Sequence, residues 1–263
     1  MLMENKVINR DNGSNKIFDD RTLATDYRTL QSFLRPGMKV LDVGCGTGSI
    51  SKDIAKIVSS VVGIDNTAKF IESGRESYSE VKNLELVVAD IFQYEPKYKF
   101  DLIVSARTMQ WLSDVPKALL KMKSMLKEGG TLSILDYNHT KVQWTPEPPP
   151  IMKKFYAAFL KWRTEAGMNN QVGDDLPRLF EESGFENVQK FNSDEHYTRG
   201  EENFAFRAAI WSKVAALKQI ADEGYIGESE RLQAIEEYTE WVETKAQSMT
   251  LKLNETRGIN INY

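Results

Sequence analysis

A glycine-rich turn between an apolar segment and a helical pattern constrains the fold of this chain more than any other feature. Met38 to Val43 reads as a buried strand, and Gly44, Gly46 and Gly48 follow it. Apolar residues then recur at helical spacing. Glycine permits a positive φ and lets the main chain approach a ligand without an intervening Cβ. A strand, a glycine turn and a helix in this order predict a ligand at the carboxyl end of the first strand of an open α/β sheet.

The residues around the turn indicate which ligand it takes. The dinucleotide fingerprint has its third glycine where this chain has Ser49, and Asp42 stands before the turn. A carboxylate there would repel a pyrophosphate, whereas it suits a ligand with positive charge. Val40 to Gly48 resembles motif I of the class I S-adenosylmethionine-dependent methyltransferases, whose cofactor carries a sulfonium and an ammonium group and no phosphate. The resemblance covers about Leu30 to Tyr137 and implies S-adenosylmethionine as the cofactor.

Apolar segments alternate with helical patterns along the first half of the chain. The strands predicted after the first are Val61 to Ile64, Leu84 to Val88, Phe100 to Val104 and Thr131 to Tyr137. This alternation predicts a parallel sheet with right-handed crossovers. With the resemblance, it implies an α/β fold: a Rossmann-like, mostly parallel seven-stranded sheet with helices on both faces and a helical lid insertion. A sixth strand is predicted near Val188 to Phe191, and the last strand, expected near Gly258 to Tyr263, would be antiparallel.

The rest of the chain divides by composition. Residues 1–20 are a polar lead-in, and 21–263 are predicted to form a single methyltransferase domain. Gly129 is expected to end the helix that Asp114 caps. Helical elements at about 140–170 and 200–250 are expected to form a lid, with long helices over about Glu201 to Glu223 and Ser229 to Ser248. One face of the second helix is predicted to consist of Leu232, Ile235, Tyr238 and Val242. The lid is rich in aromatic residues, which would favour a small, partly apolar substrate.

The resemblance places the cofactor along the strand ends. Asp65 closes the second strand about 20 residues after the turn, where an acidic side chain binds ribose hydroxyls. Asp90 would accept from the adenine amine with Ile91 against the ring, and Ser105 would border the methionine moiety. An acidic residue at a strand end is also a common turn former, and Asp42 could instead hydrogen-bond the turn. The predicted cofactor-binding residues are Asp42, Gly44, Cys45, Gly46, Gly48, Asp65, Asn66, Asp90, Ile91 and Ser105.

The segment after the fourth strand is expected to border the methyl acceptor. Arg107 could pair with a carboxylate of the acceptor or of the cofactor, or be a solvated surface residue. Gln110 and Trp111 resemble a pair found in small-molecule methyltransferases, although Trp111 could be a core anchor; Tyr27 completes the predicted acceptor-binding set. A general base is needed only when the nucleophile arrives protonated. His139 is the candidate base, with an ordinary structural histidine as the alternative.

Composition excludes several other classes. The net charge is −4, from 34 Lys and Arg against 38 Asp and Glu, and no basic run points to a nucleic-acid partner. Cys45 is the single cysteine and there are two histidines, so neither a disulfide framework nor a metal site is predicted. The polar start does not resemble a signal peptide, and no apolar run reaches membrane-spanning length. We therefore expect a cytoplasmic protein with no membrane partner; a homodimer is left open.

The predicted function is transfer of a methyl group from S-adenosylmethionine to an O, N or C nucleophile of a small molecule, with carboxylates among the candidate acceptors. Two alternatives remain at this point. A non-catalytic module could bind the same cofactor without turnover, and an NAD-dependent dehydrogenase would share the general fold. The glycine spacing disfavours the dehydrogenase.

Overall fold

The computed structural model describes residues 21–261, so the predicted lead-in over 1–20 lies outside the described residues. The described chain forms two compact units. We call 21–137, 172–193 and 253–261 the sheet unit, and Asn138–Gln171 with Asp194–Lys252 the helical unit. The segments predicted at about 140–170 and 200–250 fall in the helical unit almost entirely. Their role as a lid stays a prediction.

The strands and helices alternate along the sheet unit and then give way to helices. The strands are β1 (Lys39–Val43), β2 (Ser60–Asp65), β3 (Leu84–Val88), β4 (Phe100–Ala106), β5 (Leu126–Thr145), β6 (Glu186–Asn192), β7 (Glu195–Thr198) and β8 (Ser248–Ile259). The helices are α1 (Leu23–Asp26), α2 (Arg28–Gln31), α3 (Ser49–Ala55), α4 (Ala68–Ser77), α5 (Val115–Met125), α6 (Pro150–Glu165), α7 (Val172–Glu182), α8 (Phe204–Ala208), α9 (Ile210–Ala215), α10 (Gln219–Asp222) and α11 (Glu228–Thr244).

The sheet has the predicted mostly parallel arrangement. Its order is β3-β2-β1-β4-β5-β8-β6, with β7 paired to β8. The pairs among β1 to β5 are parallel, and β8 runs antiparallel to both β6 and β7. The α/β fold class is therefore confirmed, with a correction: within residues 21–261 the sheet has eight strands, not seven. The added strand β7 has four residues of alternating exposure and no apolar run, so apolar patterning did not reveal it.

The central strands are buried because both of their faces are apolar. Leu41 of β1, Ile103 of β4 and Leu132 of β5 are fully buried and belong to one hydrophobic cluster. Helix α5 adds Leu119 and Met122 to the same cluster. Parallel strands covered on both faces require such continuous apolar runs, which is why these segments were visible in the sequence.

The end of α5 and the length of β5 differ from the expectation. Asp114 caps the helix as predicted, by accepting from the Lys117 N–H at 3.0 Å. The helix ends at Met125, however, and β5 begins at the next residue rather than after Gly129. Gly129 instead donates its N–H to the Asn260 carbonyl at 2.8 Å. Gly129, which the sequence predicts as the end of the helix, therefore lies in β5 and bonds to a segment distant in the chain.

The last strand also lies earlier than expected, since β8 ends at Ile259. Its middle is polar but buried, and residues distant in the chain form hydrogen bonds with two of its side chains. Ser133 Oγ donates to Glu255 Oε1 at 2.6 Å, and Asn254 Nδ2 donates to Asp174 Oδ1 at 2.7 Å. Apolar residues alternate with polar ones only over Met249 to Leu253, a signal that the sequence prediction missed, and the alternation stops in the middle of the strand.

Two helical predictions need correction as well. The helix expected over Glu201 to Glu223 is three short helices, α8, α9 and α10. In α11 the predicted core residue Leu232 is 52% exposed, and Arg231, Ala234, Tyr238, Trp241 and Val242 are buried instead. The buried face of α11 thus includes the predicted Tyr238 and Val242 but not Leu232. Over residues 21–261, no helix combines the length and apolar character that a membrane span requires.

Candidate functional site

The glycine turn joins β1 to α3 and is attached to the end of β2. Gly44, Gly46 and Gly48 have φ values of 73°, 58° and 83°, in the left-handed region that favours glycine. The N–H groups of Gly44 and Cys45 donate to the Ile64 carbonyl at 2.8 and 3.1 Å. The turn predicted from sequence is therefore present, and its main chain is fixed by the neighbouring strand.

Two further glycines make room for this turn, and the sequence prediction missed both. A Cβ at Gly74 in α4 would lie 2.1 Å from the Thr47 carbonyl oxygen, and one at Gly63 in β2 would lie 2.9 Å from Cys45 Sγ. Both contacts are too close for any other residue without a shift of the turn. A glycine inside an otherwise helical or strand-like pattern is the signal that could have found them.

Asp65 lies at the predicted place and holds the turn. Its Oδ2 accepts from the Gly46 N–H at 3.1 Å, and its Oδ1 accepts from the Thr67 N–H at 2.9 Å. The carboxylate is buried, and each of its oxygens has a second lone pair. It can therefore accept from a ligand while it holds the turn, so the structural and ligand-binding interpretations are compatible.

Asp42 supplies a second buried carboxyl group below the turn. It is 4% exposed, and Ser51 Oγ donates to its Oδ2 at 2.5 Å. Burial raises the pKa of Asp42 from 3.8 to about 6. The hydrogen bond from Ser51 lowers this pKa in part, and the charge of Asp65 raises it further. Burial, followed by Asp42 and Asp65, also raises the pKa of the Cys45 thiol, which stays protonated. The region is suited to a cation and unsuited to a thiolate nucleophile.

The remaining predicted cofactor residues differ in burial and in their hydrogen bonds. Asp90 is half-buried and its Oδ1 accepts from the Phe92 N–H at 2.7 Å. Ile91 is buried beside it, and Asn66 is exposed. Ser105 is fully buried and donates to the Val43 carbonyl at 2.8 Å, so its hydroxyl links β4 to β1.

The predicted acceptor residues Arg107 and Gln110 come together at the ends of β4 and β5. Arg107 is buried, has a φ of 61° and donates through Nε to Tyr137 Oη at 2.9 Å. Its guanidinium also donates to the Asp26 carbonyl at 3.1 Å and lies 3.8 Å from the Asp26 carboxylate. The Gln110 N–H donates to Asp136 Oδ2 at 3.0 Å. Trp111 is half-buried at the end of the 3-10 turn Met109–Trp111.

Tyr27 takes part in a different group. Its hydroxyl lies 2.8 Å from Ser133 Oγ, which itself donates to the buried Glu255. Burial, followed by the Glu255 charge, raises the pKa of Tyr27. The structure thus places Tyr27 in a buried polar network of the sheet unit, where it anchors the start of the described chain.

His139 belongs to the helical unit, where it is 5% exposed among aromatic rings. Its ring meets those of Phe159 and Trp211 edge-on, with centroids 5.7 and 6.0 Å apart. Burial, followed by the charge of the fully buried Arg163, lowers the pKa of His139 well below its usual value. The imidazole is therefore neutral at physiological pH, which is the form able to accept a proton.

An aromatic cluster surrounds His139. Trp211 is its centre, with the Tyr156 ring at 4.6 Å and the Trp144 ring at 6.2 Å. Trp144 and Tyr156 are half-buried, so the cluster has an accessible side. We define the aromatic cluster as His139, Trp144, Tyr156, Phe159 and Trp211. Its members offer ring edges and faces to an apolar or planar ligand.

Comparison with known proteins agrees with these features. A family model described as a methyltransferase domain matches residues 34–196. The demethylmenaquinone methyltransferase of Staphylococcus aureus (strain MRSA252) is 30% identical over 180 residues, which cover 59% of this chain and 71% of that protein.

Solved structures share the fold at low identity. Phosphoethanolamine N-methyltransferase 2 of Haemonchus contortus, in complex with S-adenosyl-L-methionine, superposes with a TM-score of 0.57 at 15% identity; the match covers 90% of this chain and 52% of that one. This chain therefore spans about half the length of that enzyme. The YcgJ protein of Bacillus subtilis gives a TM-score of 0.57 at 19% identity, with 90% and 96% covered.

Proposed function

The chain belongs to the class I S-adenosylmethionine-dependent methyltransferases, and from that premise we propose that it methylates an O, N or C nucleophile of a small, partly apolar molecule. The observation that supports this choice of acceptor is the aromatic cluster of the helical unit, which contains a neutral imidazole and exposes two rings. A partly apolar molecule gains from contact with such rings, whereas a phosphate backbone would require a basic groove.

The sheet unit fits the cofactor on two counts. The left-handed glycines at 44, 46 and 48 present main chain without Cβ atoms, and the carboxyl groups of Asp42 and Asp65 favour a positively charged ligand. Bound S-adenosylmethionine supplies a methyl group that a sulfonium has already activated. In this proposal Asp65 accepts from the ribose hydroxyls, and Asp90 accepts from the adenine amine beside Ile91.

The acceptor end of the site has to align a nucleophile and exclude water, because the methyl group needs no further activation. We assign this alignment to Arg107, Gln110 and Trp111. A carboxylate acceptor arrives deprotonated and needs only pairing with a cation such as Arg107. A phenol or amine arrives protonated and needs a general base; His139 is the candidate for that role, and its lowered pKa makes it a weak one.

The relatives support acceptors of more than one kind. The Staphylococcus aureus relative is named for demethylmenaquinone, a quinone, and the Haemonchus contortus structure is named for phosphoethanolamine. A quinone-like ring suits the aromatic cluster better than phosphoethanolamine does, because edge-to-face contacts require a planar apolar partner. We therefore rank phenols, hydroquinones and aromatic carboxylic acids ahead of aliphatic amines.

Two assays test the proposal. Calorimetric titration with S-adenosylhomocysteine, with NAD in parallel, should show micromolar binding of the former alone. Transfer of labelled methyl from S-adenosylmethionine should then be measured to phenols, aromatic acids, amines, a protein mixture and total RNA. Transfer to a phenol or aromatic acid would support the proposal. Transfer only to protein or RNA, or to no acceptor at all, would reject the small-molecule assignment without affecting the family.

A further inference from the structure

The end of β5 braces the turn that follows β4. The Arg107 N–H donates to the Leu135 carbonyl at 2.7 Å, and Arg107 Nε donates to Tyr137 Oη at 2.9 Å. Between them, the Gln110 N–H donates to Asp136 Oδ2 at 3.0 Å. Three consecutive residues of one strand thus hold residues 107–110. We call this set of hydrogen bonds the cross-brace.

The turn needs such support because Arg107 has a positive φ. Residues other than glycine and asparagine rarely adopt a φ of 61°. Such a conformation persists where its surroundings over-determine it, most often at functional sites. Here the Arg107 carbonyl accepts from Gln110 Nε2 at 3.0 Å, and its guanidinium donates to the Asp26 carbonyl in α1. The main-chain N–H, the carbonyl, Nε and Nη2 of Arg107 are therefore each engaged by a neighbour.

Asp136 is the member of the cross-brace that tolerates least change. It is fully buried, and its two carboxylate oxygens each accept from a main-chain N–H, of Gln110 and of Tyr137 at 2.8 Å. An amide at this position has one acceptor oxygen and would turn an NH2 group toward the other donor. The main chain at Asp136 also packs closely on α7, since a Cβ at Gly173 would lie 2.3 Å from the Asp136 carbonyl oxygen.

We propose that Asp136 is a positioning residue of the methyl-transfer site: its two side-chain oxygens hold the turn of residues 107–111 so that Arg107, Gln110 and Trp111 meet the acceptor in one geometry. The acceptor part of this inference rests on the proposed function, whereas the cross-brace itself does not. Cofactor binding depends on the glycine turn and Asp65, so it is expected to survive loss of the brace.

The test is hydrogen–deuterium exchange of the main-chain amides in residues 107–112, measured on the full chain for wild type and Asp136→Asn. Loss of one charge-assisted hydrogen bond should speed exchange in this segment about tenfold. Exchange in residues 44–50 and the affinity for S-adenosylhomocysteine should change less, by under about threefold, because Thr108 Oγ1 meets the Gly44 carbonyl at a long 3.4 Å. With an acceptor from the transfer screen, the KM for the acceptor should rise more than kcat falls.

Asp101→Asn is the matched control at the opposite end of the same strands. Asp101 also accepts from a main-chain N–H, of Lys39 at 2.9 Å, and from Lys127 Nζ of β5 at 2.7 Å. Its loss should leave exchange in 107–112 unchanged. Unchanged exchange in Asp136→Asn, an equal change in the control, or loss of S-adenosylhomocysteine binding would each overturn the proposal.

A second variant covers the case in which Asp136→Asn does not fold. Tyr137→Phe removes the Arg107 Nε acceptor and leaves the main chain as it is. It should also speed exchange in 107–112, and unchanged exchange would overturn the cross-brace. If wild type methylates no small molecule, the exchange result still decides the cross-brace, so the two proposals fail separately.

Discussion

The sheet unit and the helical unit bury polar chemistry in different ways. In the sheet unit, Asp42, Asp65 and Asp136 are buried carboxyl groups, and each accepts hydrogen bonds from hydroxyl or main-chain donors. In the helical unit, His139 is buried mainly against rings. Main-chain donors and carboxylates suit a charged, polar cofactor. Aromatic rings suit acceptors that bind through apolar contact. The comparison predicts that cofactor affinity responds to changes in the sheet unit and not to changes in the helical unit.

The largest effect is expected from Gly74→Val, which should abolish cofactor binding. Any Cβ at this position would lie 2.1 Å from the Thr47 carbonyl, and this contact can be relieved only if the glycine turn moves. Calorimetry with S-adenosylhomocysteine should show no binding, while circular dichroism reports a folded chain. Ser77→Ala, an exposed position of the same helix, is the control and should bind as wild type. Wild-type affinity in Gly74→Val would contradict the turn assignment.

Asp42→Asn should stabilise the protein at neutral pH. The pKa of Asp42 is raised from 3.8 to about 6, so the native state holds this proton more tightly than the unfolded chain does. The resulting stability is complete below about pH 4 and is lost as the pH rises through about 6. Asparagine keeps an acceptor for Ser51 Oγ and does not titrate. We expect the free energy of unfolding at pH 7.5 to rise by about 3 kcal/mol.

Urea denaturation of wild type and Asp42→Asn between pH 4 and 8 measures this difference. The gap in unfolding free energy should open as the pH rises from about 4 to about 6 and stay constant above. Glu76→Gln, at an exposed position of α4, is the control for removal of a carboxylate. If the unfolding free energies of wild type and Asp42→Asn change in parallel with pH, burial does not raise the pKa of Asp42.

Asp65→Ala should weaken S-adenosylhomocysteine binding by about 1–3 kcal/mol, the range for a lost charge-assisted hydrogen bond. The change also removes the acceptor of the Gly46 N–H, so the turn loses a support together with the ribose ligand. Calorimetry measures the affinity, and Glu76→Ala serves as the exposed control. Undiminished affinity would remove Asp65 from the cofactor site.

The smallest effect is expected in the helical unit. Tyr156 Oη donates to the His139 carbonyl, so Tyr156→Phe should lower the free energy of unfolding by about 1 kcal/mol, the usual net value of one hydrogen bond. Urea denaturation measures the loss, and Tyr98→Phe, at an exposed tyrosine of the sheet unit, is the control. A loss of S-adenosylhomocysteine affinity as large as that of Asp65→Ala would break the comparison between the units.

The sequence predicted the strands that are apolar on both faces and the turn between the first two elements. β3 lies over Leu84–Val88 as predicted, and Asp65 closes β2. These features are local: a run of apolar residues, a glycine that permits a positive φ, and an acidic residue at a strand end each carry their signal within a few positions. The family and its cofactor followed from the same residues.

Tertiary structure decided what local patterns could not. The middle of β8 is polar and yet buried, since Ser133 and Asp174, far away in the chain, form hydrogen bonds with Glu255 and Asn254. Gly63 and Gly74 are required by the turn that packs on them, and Arg107 holds a positive φ because Leu135, Asp136 and Tyr137 brace its turn. Hydrogen bonds and close packing between distant segments leave no periodic trace in a sequence, whereas apolar burial within one element does.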